Sequence, residues 1–375
     1  MGNYISGGGD YELVNTPGAY TSNIQHSNSS IMAGPRRAVS AVDGFCERQC
    51  VIQKPVHREA VTCITSIRPG IIVTGGRDSM IALTNIDTGE CVRKWEGHEK
   101  EVTRVAYRST GSRNILLSGS RDCTIRQWSF KPPQAERVMD GHQFVVTGLQ
   151  ILSDGRFVSG SRDNSVRLWD IETGKCTINR TQPRNMVTFI ARAKTDSLIA
   201  QTSEDKELKL WDPRDLNLIH CFPKKQQIQL HCDVSLDERY CLSSSNGFNG
   251  NGCEITMWDL RQRSILREFR GHEESVNGAI FMKQQVTWKN LLLSVSNDHS
   301  VRVWNIDDGS CLWKEYVPSG GDLTSLVSFN DGNIVAVGLN ACICHLRLIG
   351  RAGKPYLHTV SMQVQPCHST SSFDF

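Results

Sequence analysis

Three groups of side chains in this sequence have the makings of a hydrolytic site: His98 with Ser118 and Asp122, His142 with Ser159 and Asp163, and His272 with Ser294 and Asp298. A serine hydrolase activates one hydroxyl through an imidazole that a carboxylate orients, and it displays that serine at an exposed elbow beside oxyanion donors. The sequence argues for another use. The set is repeated, no G-x-S-x-G elbow is present, and each set ends on a tryptophan: Trp128, Trp169 and Trp304. In a buried relay, His98 bonds both Asp122 and Ser118, and Ser118 takes the indole N–H of Trp128; the other two sets repeat the scheme. A buried indole or imidazole left without a partner costs about 1–3 kcal/mol. Such relays hold a scaffold together, so neither catalysis nor a cofactor is expected.

Something must place these sets at a regular interval. Trp128, Trp169, Trp211, Trp258 and Trp304 lie 41, 42, 47 and 46 residues apart. Aspartate follows three of them, at Asp170, Asp212 and Asp259, and an acidic residue stands six positions before four of them, at Asp122, Asp163, Asp205 and Asp298. Gly-His pairs recur at Gly97-His98, Gly141-His142 and Gly271-His272. Between these landmarks run short alternating β-type segments broken by Gly, Asp and Asn, with no sustained helical period. A four-stranded sheet cannot bury its faces alone, and packing such sheets radially does so while leaving only short edges.

Seven strand sets start near residues 60, 101, 144, 186, 228, 275 and 323. The expected fold is therefore all-β, a single seven-bladed β-propeller over residues 46–350, with an N-terminal tail over 1–45 and a C-terminal tail over 351–375. The first unit keeps His57, Thr74 and Asp78 but has Thr84 in place of Trp. The seventh, Asp322 to Leu348, lacks the His, Asp and Trp. Two closures of the ring are open. Cys50–Gln53 has the phase of an outer strand and is the preferred closing strand; Tyr356–Met362, following the last inner strands directly, is the other. Cys50, Cys91, Cys176, Cys221 and Cys311 share that outer-strand phase and are expected to serve as small apolar strand residues.

The period and its grammar resemble the WD repeat. One stretch, "QTSEDKELKLWDPRDL" followed by "HCFPKKQQIQ" and "SSSNGFNGNGCEITMWDLRQ", is similar to the WD repeat-containing protein thirty-one family, whose fifth unit also lacks the usual His and Asp and carries a Gly/Asn-rich insertion, here Asn246 to Gly252. The resemblance implies a non-enzymatic propeller linked to cilia and to membrane traffic into them. It implies protein partners such as a small-GTPase regulatory module or a ciliary trafficking module, and a place in the cytoplasm and on membranes, at the cilium or its base.

The termini and the surface add further candidates. Met1-Gly2-Asn3-Tyr4-Ile5-Ser6 matches M-G-x-x-x-[ST], so Gly2 is a candidate N-myristoylation site giving a weak, reversible membrane contact. The first 45 residues are Gly-, Ser- and Asn-rich and poor in large apolar side chains, and are expected to be disordered. Arg77, Arg121 and Arg162, each just before a relay aspartate or its counterpart, form a basic arc that suits an acidic partner segment. Trp211-Asp212-Pro213-Arg214 and Trp258-Asp259-Leu260-Arg261 both read W-D-x-R, a pattern resembling substrate receptors of cullin-RING ubiquitin ligases, in which Arg214 and Arg261 contact the adaptor.

Composition sets outer bounds. Lys+Arg is 42 and Asp+Glu is 39, a net charge of +3, which excludes a surface built throughout for nucleic acid. No nucleic-acid partner is expected, and the chain is read as a monomer. The most apolar uncharged stretch, Gly332 to Leu346, is too short to span a bilayer. No basic run followed by an apolar run opens the chain, so no secretory signal is expected and the 14 cysteines are assigned to a reducing compartment. No CxxC pair has zinc-finger spacing, and metal binding is not expected.

Overall fold

The computed structural model describes residues 50–111, 113–282, 290–351 and 354–364. Within them the chain forms seven sheets, six of four antiparallel strands and one of five. The inner strands begin at Val61, Val102, Val146, Val187, Gln229, Val276 and Leu323, close to the starts read from the sequence. Each blade runs inner strand, two middle strands, outer strand, and consecutive strands pair by hairpins. The fold is thus the expected seven-bladed β-propeller. The expectations placed on residues 1–45, including Gly2, lie outside the described residues.

The apolar residues sort into seven clusters, one for each interface between neighbouring blades. The third-strand tryptophans are the largest members. Trp128 packs with the first blade's Val73 and Ile81, Trp169 with the second blade's Ile115 and Leu117, and Trp211, Trp258 and Trp304 repeat the pattern. All five are almost fully buried. At about 25 cal/mol per Å² of apolar surface, these indoles are major contributors to holding the blades together. The two interfaces without such a tryptophan are those entering blades 7 and 1, where Leu, Ile and Val fill the space. At the latter, the Thr84 that stands in for Trp is buried with its hydroxyl unpaired.

A second device links the blades around the axis. Every inner strand carries an irregularity at one position, between Val61/Cys63, Val102/Arg104, Val146/Gly148, Val187/Phe189, Gln229/His231, Val276/Gly278 and Leu323/Ser325. The extra residue at a bulge does not join its own ladder, so its side chain can be aimed elsewhere. Here it reaches the next blade. Thr62 donates to the carbonyl of Val102 and Thr103 to that of Val146. Thr147 donates to Val187 at 2.5 Å, Thr188 to Gln229 at 2.6 Å, and the Asn277 amide to Leu323 at 2.7 Å. Thr324 donates to Val61 at 2.6 Å and joins the seventh blade to the first. Leu230 holds the equivalent place in the fifth blade and brings no donor.

Ring closure differs from the preferred reading. The outer strand of blade 7 is Lys354–Gln363, hairpin-paired to Cys342–Arg351, and Val51–Gln53 lies outside it as a fifth strand, parallel to it. The reason is local: a hairpin between adjacent segments closes a short loop, whereas the N-terminal strand must be recruited across the whole ring. The cysteine reading also needs correction. Cys91, Cys176 and Cys311 occupy one equivalent position, opposite Thr84, Trp169 and Trp304, but Cys221 lies opposite Lys209, three residues beyond the equivalent Leu218, and Cys50 precedes its strand. None of the five is buried, because outer strands have a solvent face.

The bulge residues carry a direct test. Thr147→Val keeps the shape and removes the donor to Val187. Chemical denaturation should show a loss of about 1 kcal/mol, and Thr147→Ser, which keeps the hydroxyl, should lose less. Equal losses would remove the hydrogen bond from the account.

Candidate functional site

The three Ser-His-Asp sets are assembled as read. His98 Nδ1 lies 2.8 Å from Asp122, its Nε2 2.6 Å from Ser118 Oγ, and Trp128 Nε1 donates to that oxygen at 2.7 Å. His142 makes the same bonds to Asp163 and Ser159 at 2.8 and 2.7 Å, with Trp169 on Ser159 at 2.8 Å. His272, Asp298, Ser294 and Trp304 repeat them at 2.8, 2.7 and 2.8 Å. A neutral imidazole protonated on Nδ1 satisfies every group: Nδ1–H donates to Asp, Nε2 accepts from Ser, and Ser accepts from Trp. The three serines are fully buried, so no substrate reaches them as nucleophiles.

Each aspartate also ties two loops together. Asp122 accepts the backbone N–H of Glu99 at 3.1 Å, from the loop entering the blade, and that of Thr124 at 2.9 Å, from its own turn. Asp163 and Asp298 do the same with Gln143 and Ser165, and with Glu273 and Ser300. The glycine before each histidine suits the backbone first, which takes a positive φ there, and space second. Gly97, Gly141 and Gly271 have φ of 154°, 149° and 151°. A Cβ there would come within 2.8 Å of Arg126 Nη1, or 2.7 Å of Arg167 or Arg302 Nη1, as well as crowding the indole.

The electrostatics follow from this geometry. Burial opposes the charged form of Asp122, but hydrogen bonds from His98 and Thr124 outweigh it and hold the carboxyl well below the usual carboxylate range. Asp163 and Asp298 are held low in the same way, chiefly by His142 and His272. Burial pulls His142 and His272 below the ordinary histidine value against the pull of their aspartates.

Two blades keep the tryptophan but replace the relay, and the sequence reading missed how. In blade 4, Trp211 Nε1 donates to Gln201 Oε1 at 2.8 Å, and the Gln201 amide donates to Asn185 at 2.7 Å. With no histidine there, the buried Lys209 takes Asp205 as an ion partner and lies 2.8 Å from Glu207. In blade 5, Trp258 donates to Ser243 at 2.9 Å and Ser243 to Gln229 at 2.7 Å. Gln201 and Gln229 carried no visible signal, because their role depends on which strand positions face each other. The bulge threonines did carry one: Val-Thr opens four of the inner strands, at 61–62, 102–103, 146–147 and 187–188.

The surface candidates are exposed, and the structure qualifies them. Arg77, Arg121 and Arg162 sit on the loops joining the two middle strands of blades 1, 2 and 3. Arg121 lies 3.2 Å from Glu101, and Arg162 pairs with Glu204 of the next blade. The arc is therefore partly neutralised. Arg214 and Arg261 are exposed on the opposite face, after the third strands of blades 4 and 5. Arg214 folds back onto its own Asp212, with Nε 3.0 Å from Oδ1 and Nη2 2.6 Å from Oδ2.

Comparison with known proteins matches this architecture. The profile of the "WD domain, G-beta repeat" family covers residues 89–129, 134–170 and 263–305. The chain carries WD repeats. Each match runs from the outer strand of one blade through the inner and middle strands of the next and contains one complete relay. Similar proteins include the nuclear distribution protein nudF of Aspergillus niger, 25% identical over 69% of this chain and 62% of its own length. WD repeat-containing protein 37 of Mus musculus is 27% identical over 67% of this chain and 49% of its own. Pre-mRNA-processing factor 19 of Mus musculus is 30% identical over 40% of this chain and 30% of its own. The chain thus spans less than two thirds of the length of these WD-repeat relatives.

Two outcomes test the relay. His142→Ala should cost about 1–3 kcal/mol by leaving Asp163 and Ser159 short of partners, while His57→Ala should cost less, because Thr84 brings no indole to hold. Equal melting losses for the two would sink the relay as drawn.

The second concerns pH. His142 and His272 titrate lower when folded, so their contribution is complete above the unfolded value of about 6.5 and declines as the pH falls below it. The three aspartates are also depressed, so theirs is present above about pH 3.9 and is lost as the pH falls through their folded values. Denaturation midpoints should therefore fall from about pH 6.5 downward and more steeply below about pH 4. A rise in stability between neutral pH and about pH 5 contradicts these assignments.

Proposed function

We propose that the chain is a non-enzymatic protein-interaction scaffold that associates reversibly with membranes and acts in ciliary assembly or in ciliary and vesicle traffic. The observation that carries the scaffold reading is how the polar residues are used. The Ser-His-Asp sets are spent inside the ring, while exposed arginines, Arg77, Arg121 and Arg162, crown one rigid face. Fixed loops on a rigid ring suit the recognition of a partner segment, and arginine pairs bidentately with carboxylates. Such a segment competes with Glu101 and Glu204 for Arg121 and Arg162, which exposed pairs permit because they are weak.

The membrane part rests on Met1-Gly2-Asn3-Tyr4-Ile5-Ser6, and the ciliary part on the resemblance to the WD repeat-containing protein thirty-one family. A single myristoyl chain binds only marginally, so residence on a membrane requires a second contact, which a membrane-bound partner such as a small-GTPase regulatory or ciliary trafficking module would supply. A second reading, as a cullin-RING substrate receptor, is favoured by the exposure of Arg214 and Arg261 on adjacent blades. It is weakened by the closure of Arg214 onto Asp212.

Proximity labelling in ciliated cells tests these readings together. Gly2→Ala should move the protein to the soluble fraction and remove membrane neighbours. Reversal of Arg77, Arg121 and Arg162 to glutamate should remove one class of partner with little change in melting temperature, since exposed charges contribute little to stability. Unaltered fractionation and an unaltered partner set would reject the membrane and arc readings, and capture of a cullin adaptor dependent on Arg214 and Arg261 would favour the second.

A further inference from the structure

Where the outer strands of blades 4 and 5 begin, Leu218–Cys221 and Ser264–Phe269, four aliphatic side chains are left in solvent. Leu218 is 40% exposed, Ile219 44%, Ile265 45% and Leu266 49%. They hold two equivalent positions. Leu218 and Ile265 stand opposite Trp211 and Trp258, and Ile219 and Leu266 are the extra residues of the irregularities that follow. The first of these positions is Cys91, Ala135, Cys176, Cys311 or Thr359 in the other five blades. A lone exposed aliphatic residue is ordinary on a protein surface, but two adjoining pairs on neighbouring blades make a patch.

The pairs adjoin across the blade 4–5 boundary. Residues opposite one another on adjacent strands point to the same side of a sheet, so Ile265 shares the side of Trp258. That side is turned toward blade 4: the Trp258 ring lies 4.8 Å from that of Phe222, the residue directly after the outer strand of blade 4. Toward blade 6, Leu266 and the 52% exposed Leu236 line an open groove of about 540 Å³, with Met282 and Ile306 on its far wall. The apolar surface therefore runs without a break from blade 4 to the edge of blade 6.

Cations stand at the same corner, in the turns that precede these strands. Arg214 is held by Asp212, whereas among the described residues neither Arg261 nor Arg263 has an ion pair, and both are exposed. Asp259, the counterpart of Asp212, accepts instead the backbone N–H groups of Arg261 and Gln262, at 2.8 and 2.7 Å. Arg239, on the turn that carries Leu236, lies 3.8 Å from Asp237. Asp307 lines the groove on the blade 6 side and bounds the cationic part of the patch.

We propose that this corner of blades 4 and 5 is a docking surface for an anionic lipid bilayer, with Ile219, Ile265 and Leu266 entering the interface and Arg261 and Arg263 meeting the headgroups. Aliphatic side chains beside unpaired cations suit the boundary between acyl chains and an anionic headgroup layer. The chemistry favours lipid over a protein partner, because energetically dominant protein contacts are enriched in Trp, Tyr and Arg and poor in Leu. A fluid bilayer also conforms to the outer edge of a ring and needs no matching pocket. The site goes beyond the membrane contact proposed above: it lies on the face opposite the arginine arc and needs no acyl chain.

The test uses the full Gly2→Ala chain, which has no acyl acceptor. It should sediment with vesicles of phosphatidylcholine and phosphatidylserine and scarcely with phosphatidylcholine alone, and added salt should release it. Arg261→Gln with Arg263→Gln should weaken binding by a factor of about 30, at about 1 kcal/mol for each cation near such a surface. Ile265→Ser with Leu266→Ser should abolish it. Hydrogen exchange on the chain with its corner intact needs neither variant: phosphatidylserine vesicles should slow exchange in the outer strands of blades 4 and 5 and in the turns before them. No binding to phosphatidylserine vesicles, binding that survives both double substitutions, or slowing confined to other blades would overturn the proposal. So would capture of a protein, a cullin adaptor included, that depends on Ile265 and Leu266 while vesicles are not bound. None of these outcomes bears on whether Gly2 is acylated, so the two membrane readings fail separately.

Discussion

A blade of this protein has two faces to bury and only its neighbours to bury them against, so the seventh blade must meet the first. The inner-strand bulge is where that condition is met. One residue in each inner strand is released from its own ladder, and in six of seven blades its side chain donates to a carbonyl of the next blade, with Thr324 and Val61 completing the circle. Each bond is modest, with a net value of about 1 kcal/mol. Their effect is to fix the register between blades, which decides whether the tryptophans of one sheet fall into the apolar gaps of the sheet before it. The junction after Leu230 lacks this bond; there the Phe281 N–H donates to Asp233 at 2.9 Å, beside the apolar contacts of Ile255, Phe269 and Trp304.

The relays solve a different problem, that of burying polar atoms under loops. An indole N–H, an imidazole and a carboxylate sit together near the blade edges, and each must find a partner there. Where the histidine is present, one neutral ring serves both sides. Where it is missing in blade 4, an amide pair meets the indole and Lys209 meets Asp205, so the work of one side chain is divided between two pairs. The conserved requirement within the molecule is satisfaction of the indole. The residue type that achieves it varies from blade to blade.

This separation of roles bears on function. Polar groups that looked reactive are consumed in the scaffold, and the groups left with unsatisfied capacity lie elsewhere, on the rim and along the axis. Arg77, Arg121 and Arg162 are accessible, the last two in exposed ion pairs; Arg104 is half-buried on the axis and has no carboxylate partner among the described residues. Exposure suits the first group to a macromolecular partner that supplies its own carboxylates.

The sequence by itself determined the number of blades, the strand starts and the membership of the three relays, because these depend on residue types at fixed spacing within one repeat. Trp128, Trp169 and Trp304 meet their serines through a single hairpin, and alternation along a strand settles which side chains share a face. The tertiary structure decided what depends on pairing between segments far apart. It put Lys354–Gln363 inside Val51–Gln53 in the last blade, turned Gln201 and Gln229 into indole partners, paired Arg162 with Glu204, and set Arg104 of blade 2 against Phe189 of blade 4. The physical reason is that a radial ring brings equivalent strand positions together around an axis. No local pattern encodes which side chain will face another across that axis; only closure of the ring does.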